Sequence, residues 1–296
     1  MSRFEEKIRS GHFVVTSELT PPKGIDLSDF FAKADALKGS VDAVNITESP
    51  RARMAVEPKS VAHLLQDRGI EAIVQITARD RNRIAIQADL LGASLLGIGN
   101  FLFMTGDDPK NGDQPGAKGV FDLTTLEMLQ AARALRGGRD LAGNALHGAP
   151  QVFLGATMNP GAADFMREVE NTRRKIDSGA QFFQTQAIYH TDSLAQMLDA
   201  TKLDHIPLLA GVIPLKSAKM AAWLNANVPG IRVPAETLEE LERAGPEGEA
   251  AKGIEIAAKT IRRLRNICAG VHIMAIGWEL RIPEILRAAD VSAQQL

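Results

Sequence analysis

Cysteine is almost missing from this 296-residue chain, where Cys268 stands alone. A single thiol excludes an intrachain disulfide framework and a thiolate zinc cluster. Aromatic residues are scarce as well, at 5%, with one tyrosine and two tryptophans, so few rings are on hand to stack against a ligand. No apolar run reaches the ~18 residues that span a bilayer. The opening segment MSRFEEKIRSG mixes acids and bases without the apolar stretch of a signal peptide. Neither sign of charge dominates: the formal net charge is -2, with Lys and Arg spread along the chain. That pattern carries no nucleic-acid footprint. The expectation is a cytoplasmic protein with neither a membrane nor a nucleic-acid partner.

Two catalytic signatures are also missing. The six histidines (12, 63, 147, 190, 205 and 272) show no His-x-x-x-His spacing beside an acid. Asp107, Asp108 and Asp113 do not follow the EF-hand pattern, so no metal site is expected. No Gly-x-Ser-x-Gly elbow supports a serine triad.

The composition that remains, 45% hydrophobic and 24% charged, suits a chain with a large core. Short β-branched runs alternate with amphipathic stretches throughout. The predicted strands are Phe13–Leu19, Val41–Thr47, Glu71–Thr77, Asn100–Thr105, Gln151–Thr157, Phe182–Gln186, Pro207–Ile213 and Gly270–Ile276. Helical patterns fall between them, with two more at Glu247–Ile267 and Ile282–Ala289. Such alternation implies parallel βαβ units buried on both faces. An open doubly wound sheet is the rival arrangement, but no Gly-x-Gly-x-x-Gly turn follows the first strand. Gly97-Ile98-Gly99 precedes its strand and reads as an αβ turn. The expected fold is therefore α/β, a single (β/α)8 TIM barrel over residues 1–296 with extra C-terminal helices. The acidic, Pro- and Gly-bearing segment 229–246 is expected to be a surface insertion before the last helix and strand.

In such a barrel the loops after the strands share one face, where distant residues converge. Glu18 is the most informative of them: a lone carboxylate closing an apolar strand, three residues before Pro21-Pro22 ends it. A charge at that place is costly unless solvated or paired, and a water-facing strand cap is as good a reading as a catalyst. Asn45 and Thr47 end the second strand, Gln75 and Thr77 the third, and Gln184 and Gln186 the sixth. The fourth strand runs into Thr105-Gly106-Asp107-Asp108 and a Gly/Pro-rich stretch, either a ligand cover or a solvated acidic turn. Arg51-Ala-Arg53 and Arg173-Arg174-Lys175 supply positive charge; either could hold a pyrophosphate, although basic residues late in a helix also suit its dipole.

In order along the chain, these segments resemble the methylenetetrahydrofolate reductase family. Ser17-Glu18-Leu19-Thr20-Pro21-Pro22 resembles its S-[FV]-E-[FIL]-x-P-P segment, and Thr105-Gly106-Asp107 its [RST]-G-D loop. Gly112-Asp113-Gln114-Pro115 with Val120-Phe121-Asp122-Leu123 is similar to an extension found in some members. Lys175-Ile176-Asp177-Ser178-Gly179-Ala180, Thr185-Gln186 and Gly211-Val212-Ile213-Pro214 match three further motifs. Each is weak alone; the ordered set is specific.

The resemblance implies a (β/α)8 barrel carrying FAD at the strand C-termini. It implies reduction of 5,10-methylenetetrahydrofolate to 5-methyltetrahydrofolate, with NADH or NADPH as electron donor, in one-carbon metabolism. By the same resemblance Glu18 is the general acid at N10, Asp107 stabilises the developing cation, and Gln186 binds the pterin edge with Gln184 beside it. Asn45, Thr47, Gln75, Thr105, Gly106, Asp107, Phe121, Asp122, Asn159, Glu168 and Lys175 are the implied cofactor contacts.

Several positions depart from the family. Gln75 replaces a frequent histidine, Thr105 a frequent arginine, Asn159 falls in a segment that elsewhere bears Tyr and His, and Ala218 replaces an aromatic of some members. These departures leave open a flavin-free relative with direct hydride transfer, and the poor aromatic content leaves open a non-catalytic folate-binding subunit of a redox complex. A homo-oligomer or a redox partner protein also stays open.

Overall fold

In the computed structural model, which describes residues 1–203 and 205–291, eight parallel strands pair in chain order and the last closes on the first. They are β1 (Val14–Leu19), β2 (Ala43–Ile46), β3 (Ala72–Thr77), β4 (Asn100–Met104), β5 (Phe153–Met158), β6 (Phe182–Ala187), β7 (Leu208–Val212) and β8 (Gly270–Ile273). Between successive strands run α2 (Ser28–Leu37), α3 (Pro58–Asp67), α4 (Arg83–Leu95), α5 (Thr125–Arg136), α6 (Phe165–Ser178), α7 (Thr191–Thr201), and the pair α8 (Ala218–Asn227) and α9 (Ala235–Leu264). Helix α1 (Arg3–Arg9) precedes the barrel and α10 (Ile282–Ala288) follows it. Residue 204 and residues 292–296 of the expected 1–296 unit lie outside the described residues. No helix among the described residues is long and apolar enough to cross a membrane.

Strand alternation explains the layering. Outward residues such as Val15, Leu19, Val44, Ile46, Val74, Ile76, Phe101 and Phe103 pack beneath the helices in one continuous core. Inward residues Val14, Ala43, Ile73, Leu102, Phe153, Phe182 and Leu209 form a separate apolar floor. β1, β2, β3, β5, β6 and β7 open on consecutive apolar residues because both faces are buried there.

Helix α1 closes the floor from below. Phe4 is 0% exposed, with its ring edge-on to Phe153 at 5.9 Å and to Phe182 at 5.4 Å. Those two rings stack on each other at 4.9 Å. Gly155 makes their packing possible, since a Cβ there would fall 2.2 Å from the Phe182 ring. Ser2 caps the helix by accepting from the Glu5 amide and donates at 2.6 Å to Asn100 Oδ1; Lys7 reaches Asp42 at 2.7 Å. The sequence pattern did not reveal this helix, because two apolar residues in seven (Phe4 and Ile8) leave too little periodicity to read.

The segment 229–246 is not a surface excursion. It leads into the first part of α9, where Leu241 is 0% exposed and Ile231 and Val233 are also buried. The acidic residues occupy the solvent side, while Leu238 and Leu241, three apart, pack inward with Ile231 and Val233. The break falls later, at Gly245 (φ 65°), where Pro246 restarts the helix. Helix α9 therefore begins at Ala235, twelve residues before the expected Glu247.

Removing the plug isolates its contribution. Phe4→Ala should lower unfolding stability in urea by about 3–5 kcal/mol, and a loss well under about 1 kcal/mol would show that α1 merely rests on the barrel.

Candidate active site

Above the apolar floor the barrel interior turns polar. Asn45 donates to Gln184 Oε1 at 2.7 Å and accepts from Gln184 Nε2 at 3.1 Å. Gln184 also donates to Thr16 Oγ1 at 3.3 Å, and Thr16 meets His272 Nδ1 at 3.0 Å. All four side chains are buried. In β1, β2, β3 and β6 an inward apolar residue (Val14, Ala43, Ile73, Phe182) is thus followed two residues on by a polar one (Thr16, Asn45, Gln75, Gln184). Two further residues along β1 bring Glu18, whose side chain is 26% exposed, with its Oε2 3.7 Å from His272 Nε2.

The ends of β2 and β3 are joined by a charge that sequence reasoning passed over. Glu48 is buried, accepts from the Thr77 amide and pairs with the Arg81 guanidinium, which also reaches Asp89 at 2.7 Å. Burial pushes Arg81 below the ordinary arginine range, opposed by the charge of Asp89. Neighbouring Thr47 donates its hydroxyl to Thr20 at 3.0 Å, and Gln75 is buried on β3. The Thr77 hydroxyl is buried without a protein partner. Directly over it lies Gly106 (φ 86°), whose added Cβ would come within 2.9 Å of Thr77 Cβ. Only glycine fits there, which brings the backbone after β4 down onto β3.

The β2 and β4 loops are tied together across the mouth. Asp107 accepts from the Arg51 amide at 2.9 Å, and Asp113 from the Met54 amide at 3.0 Å. A Lys23 hydrogen bond at 2.6 Å helps hold the Asp113 carboxyl below the usual range. Ser49, Arg51 and Ala52 all have left-handed φ angles, of 41°, 57° and 54°, each costing of order 1–3 kcal/mol. The Arg51 guanidinium lies over Trp223 of α8 at 5.8 Å. Thr105 pairs with Thr125 at 3.3 Å. Phe121 also has a left-handed φ of 43° and keeps an exposed ring. Asp122 takes three bonds from Arg83, which hold its carboxyl down at about 2.

The β5 and β6 ends form a third group. Lys175 donates to the Thr157 carbonyl at 2.6 Å, and Glu168 accepts from the Asn159 amide at 2.9 Å. The Asn159 side chain accepts from Gly161 N at 3.1 Å. Gln186 is half-buried and accepts from the Ala187 amide. Tyr189, the lone tyrosine, donates to the Ile213 carbonyl at 2.9 Å, and burial raises its phenol strongly. A cleft of about 400 Å³ opens beside these loops, lined by Pro160, Tyr189, His190 and Arg232. A larger cleft of about 640 Å³, lined by Met1, Leu95, Ile98 and His147, lies at the opposite end of the barrel and touches none of this polar set.

Of the expected site residues, the structure gathers Glu18, Asn45 and Gln184 into one connected network, and Lys175, Glu168 and Asn159 into another. Asn45 and Gln184 face each other beneath the mouth, with Gln184 2% exposed, so they brace the site from below. Asp122 is held by Arg83 at the start of α4. His272, Thr16, Glu48 and Arg81 were missed. The only sequence signal for them was inward alternation with Val14 and Gly270 or nearness to a strand end. Among the described residues no group of three or more His, Cys, Asp or Glu could hold a metal ion. What the arrangement can do is present a solvent-reachable acid, a second carboxylate and a lysine to a ligand over the strand C-termini, the usual place for barrel chemistry.

A family model described as methylenetetrahydrofolate reductase matches residues 3–290. The Schizosaccharomyces pombe protein methylenetetrahydrofolate reductase 2 is 22% identical over 298 residues, covering 95% of this chain and 46% of its own length. The 5,10-methylenetetrahydrofolate reductase of Pectobacterium carotovorum subsp. carotovorum is 23% identical, covering 76% of this chain and 71% of its own. The chain spans about half the length of the plant and fission-yeast relatives it matches most fully. Among solved structures, an uncharacterized Clostridium thermocellum protein that binds two copies of 5-methyl-5,6,7,8-tetrahydrofolic acid superposes with TM-score 0.61. It is 15% identical, covering 97% of this chain and 98% of its own.

Lys175 offers a test free of any ligand. Burial lowers its ammonium below the ordinary lysine range, with Glu168 opposing. Between the lowered and the ordinary value the unfolded chain binds more protons, so stability rises with pH across that window. Lys175→Met should therefore be at least as stable as the wild type at pH 7 in urea unfolding. Its advantage should shrink as pH climbs toward the ordinary lysine range. A variant clearly less stable at pH 7 would mean that the bond to Thr157 outweighs the cost of burying the charge.

Proposed function

The chain belongs to the methylenetetrahydrofolate reductase family, and on that footing we propose that it reduces 5,10-methylenetetrahydrofolate to 5-methyltetrahydrofolate at the mouth of the barrel. The observation that carries the reading is Glu18: a reachable carboxylate at the end of β1, held over a buried, hydrogen-bonded polar layer. Asp107 and Gln186 come from the ends of other strands on the same face, and Lys175 reaches up from α6 to the Thr157 carbonyl near the end of β5. The folate-binding neighbour of similar fold supports the substrate class.

Glu18 acts as general acid. Its proton goes to N10 of the folate as the bond between N10 and the bridging methylene breaks, leaving a 5-iminium cation whose methylene accepts hydride and becomes the methyl group. Proton delivery of this kind contributes about 10²–10⁴-fold. Asp107, fixed by the Arg51 amide, faces the developing cation and stabilises it electrostatically. Gln186 offers its amide to the pterin edge.

The residues around β3, β4 and β5 fit FAD. The unpartnered Thr77 hydroxyl, the bare Gly106 backbone above it and the desolvated Lys175 suit a ligand that is polar, planar and anionic in part. Lys175 and Glu168 would hold its phosphate and hydroxyls, with Phe121 and Thr47 at the ring. Bound FAD, reduced by NADH or NADPH, would supply the hydride.

A second reading is a flavin-free relative in which the nicotinamide passes hydride straight to the iminium. It is favoured by two expected cofactor positions being spent internally: the Asn159 side chain on Gly161 and the Thr105 hydroxyl beside Thr125. Steady-state kinetics separate the two, because a ping-pong pattern excludes direct transfer.

Purified protein should show flavin absorption that NAD(P)H bleaches and methylenetetrahydrofolate restores. Glu18→Gln should leave the bleaching rate unchanged and slow the restoration by about 10²–10⁴-fold. Equal loss in both half-reactions would contradict the acid role, and a colourless protein that turns over without FAD would select the second reading.

A further inference from the structure

His272 has no part in the chemistry above, yet it lies buried beside the acid that performs it. Its strand puts it there: β8 closes the barrel against β1, with His272 in register with Thr16. The imidazole is 5% exposed and bridges two groups of different kind, Thr16 Oγ1 at 3.0 Å on Nδ1 and Glu18 Oε2 at 3.7 Å from Nε2.

The hydrogen-bond distances favour one tautomer. Gln184 has two amide protons, given to Asn45 Oδ1 and to Thr16 Oγ1, and its oxygen accepts from Asn45. Thr16 therefore accepts from Gln184, which leaves its single proton to place. His272 Nδ1 at 3.0 Å is the nearer acceptor, against the Val271 carbonyl at 3.4 Å. With Nδ1 accepting, the neutral ring carries its proton on Nε2, the nitrogen that faces Glu18. The distance of 3.7 Å is too long for a hydrogen bond, as catalytic contacts often are before a ligand tightens them.

We propose that His272 is a positioning residue for Glu18, a donor of fixed tautomer that orients the carboxyl group and stabilises the carboxylate left when its proton has gone to the substrate. The proposal rests on the reading of Glu18 as the acid. It gives the buried amide pair a task beyond filling the barrel: Asn45 orients Gln184, Gln184 fixes Thr16, Thr16 fixes the imidazole, and the imidazole faces the acid. An indirect role of this kind is worth about 10- to 100-fold in turnover by analogy with other outer partners.

Two substitutions separate positioning from packing. His272→Asn keeps a polar atom near Nδ1 for Thr16 but has nothing at the place of Nε2, whereas His272→Gln can reach that place with an amide N–H. His272→Asn should lower kcat for folate reduction about 10- to 100-fold with the folate KM nearly unchanged. His272→Gln should recover most of the loss. In a Glu18→Gln background His272→Asn should cost nothing further, because the group it positions is gone.

An NMR readout needs no turnover. Imidazole nitrogen shifts of the full chain, with the His272 signal identified by its loss in His272→Asn, should report Nε2 protonation and should move in Glu18→Gln. Equal losses in the Asn and Gln variants, additive effects with Glu18→Gln, or a His272 signal indifferent to Glu18 would each overturn the proposal. If the wild type fails to reduce the folate while the His272 signal still follows Glu18, the functional reading falls and the pairing stands.

Discussion

A polar side chain buried inside a closed barrel is costly unless its donors and acceptors are answered. Asn45 and Gln184 meet that demand by exchanging two hydrogen bonds across the interior. Leaving either amide alone would expose its partner to an unpaired cost of about 1–3 kcal/mol. The pair thereby fixes where apolar filling ends and chemistry begins. The Glu18 side of the mouth stands on it: Thr16 and His272 beside it, Glu18 above.

Below the pair the interior is closed by the means expected of a dry core. Phe4, Phe153 and Phe182 fill the bottom of the barrel, and a glycine at 155 gives their rings room. Three of the chain's few rings are thus spent at the end away from the strand C-termini. The mouth is built mainly from carboxylates, amides, hydroxyls and backbone, with Phe121 and Trp223 at its rim. It is also where the strain collects, in the left-handed Ser49, Arg51, Ala52 and Phe121. Holding non-glycine residues in that region requires surrounding structure to over-determine them. The Arg51 amide on Asp107 and the Met54 amide on Asp113 are two such restraints.

The barrel was legible because its determinants are local and repeated: β-branched runs, helical periodicity, and glycine or proline between them. All eight strands fall within a few residues of their expected places. The first helix escaped because seven residues carry little periodicity, and the acidic stretch before Pro246 misled because charge on one side hid Leu238 and Leu241 on the other. The site was legible only in part. Glu18 and Asp107 stood out as polar residues at strand ends, and Lys175 through its motif. His272 and Thr16 did not, since their significance arises from the closure of β8 on β1, a contact between residues more than 250 apart that no local pattern encodes. Glu48 was passed over for a similar reason: its partner Arg81 comes from the next strand's loop. Gln184 was seen, but as a ligand contact; only the distance to Asn45 reveals that its amide is already committed.

The account turns on Glu18 delivering a proton while hydride reaches the folate methylene in this barrel. The most direct test is a single turnover under anaerobic conditions, in which the reduced protein is mixed with 5,10-methylenetetrahydrofolate and the folate products are separated and quantified. The account predicts close to one 5-methyltetrahydrofolate per site. Unchanged methylenetetrahydrofolate, with the protein still reduced, would contradict it.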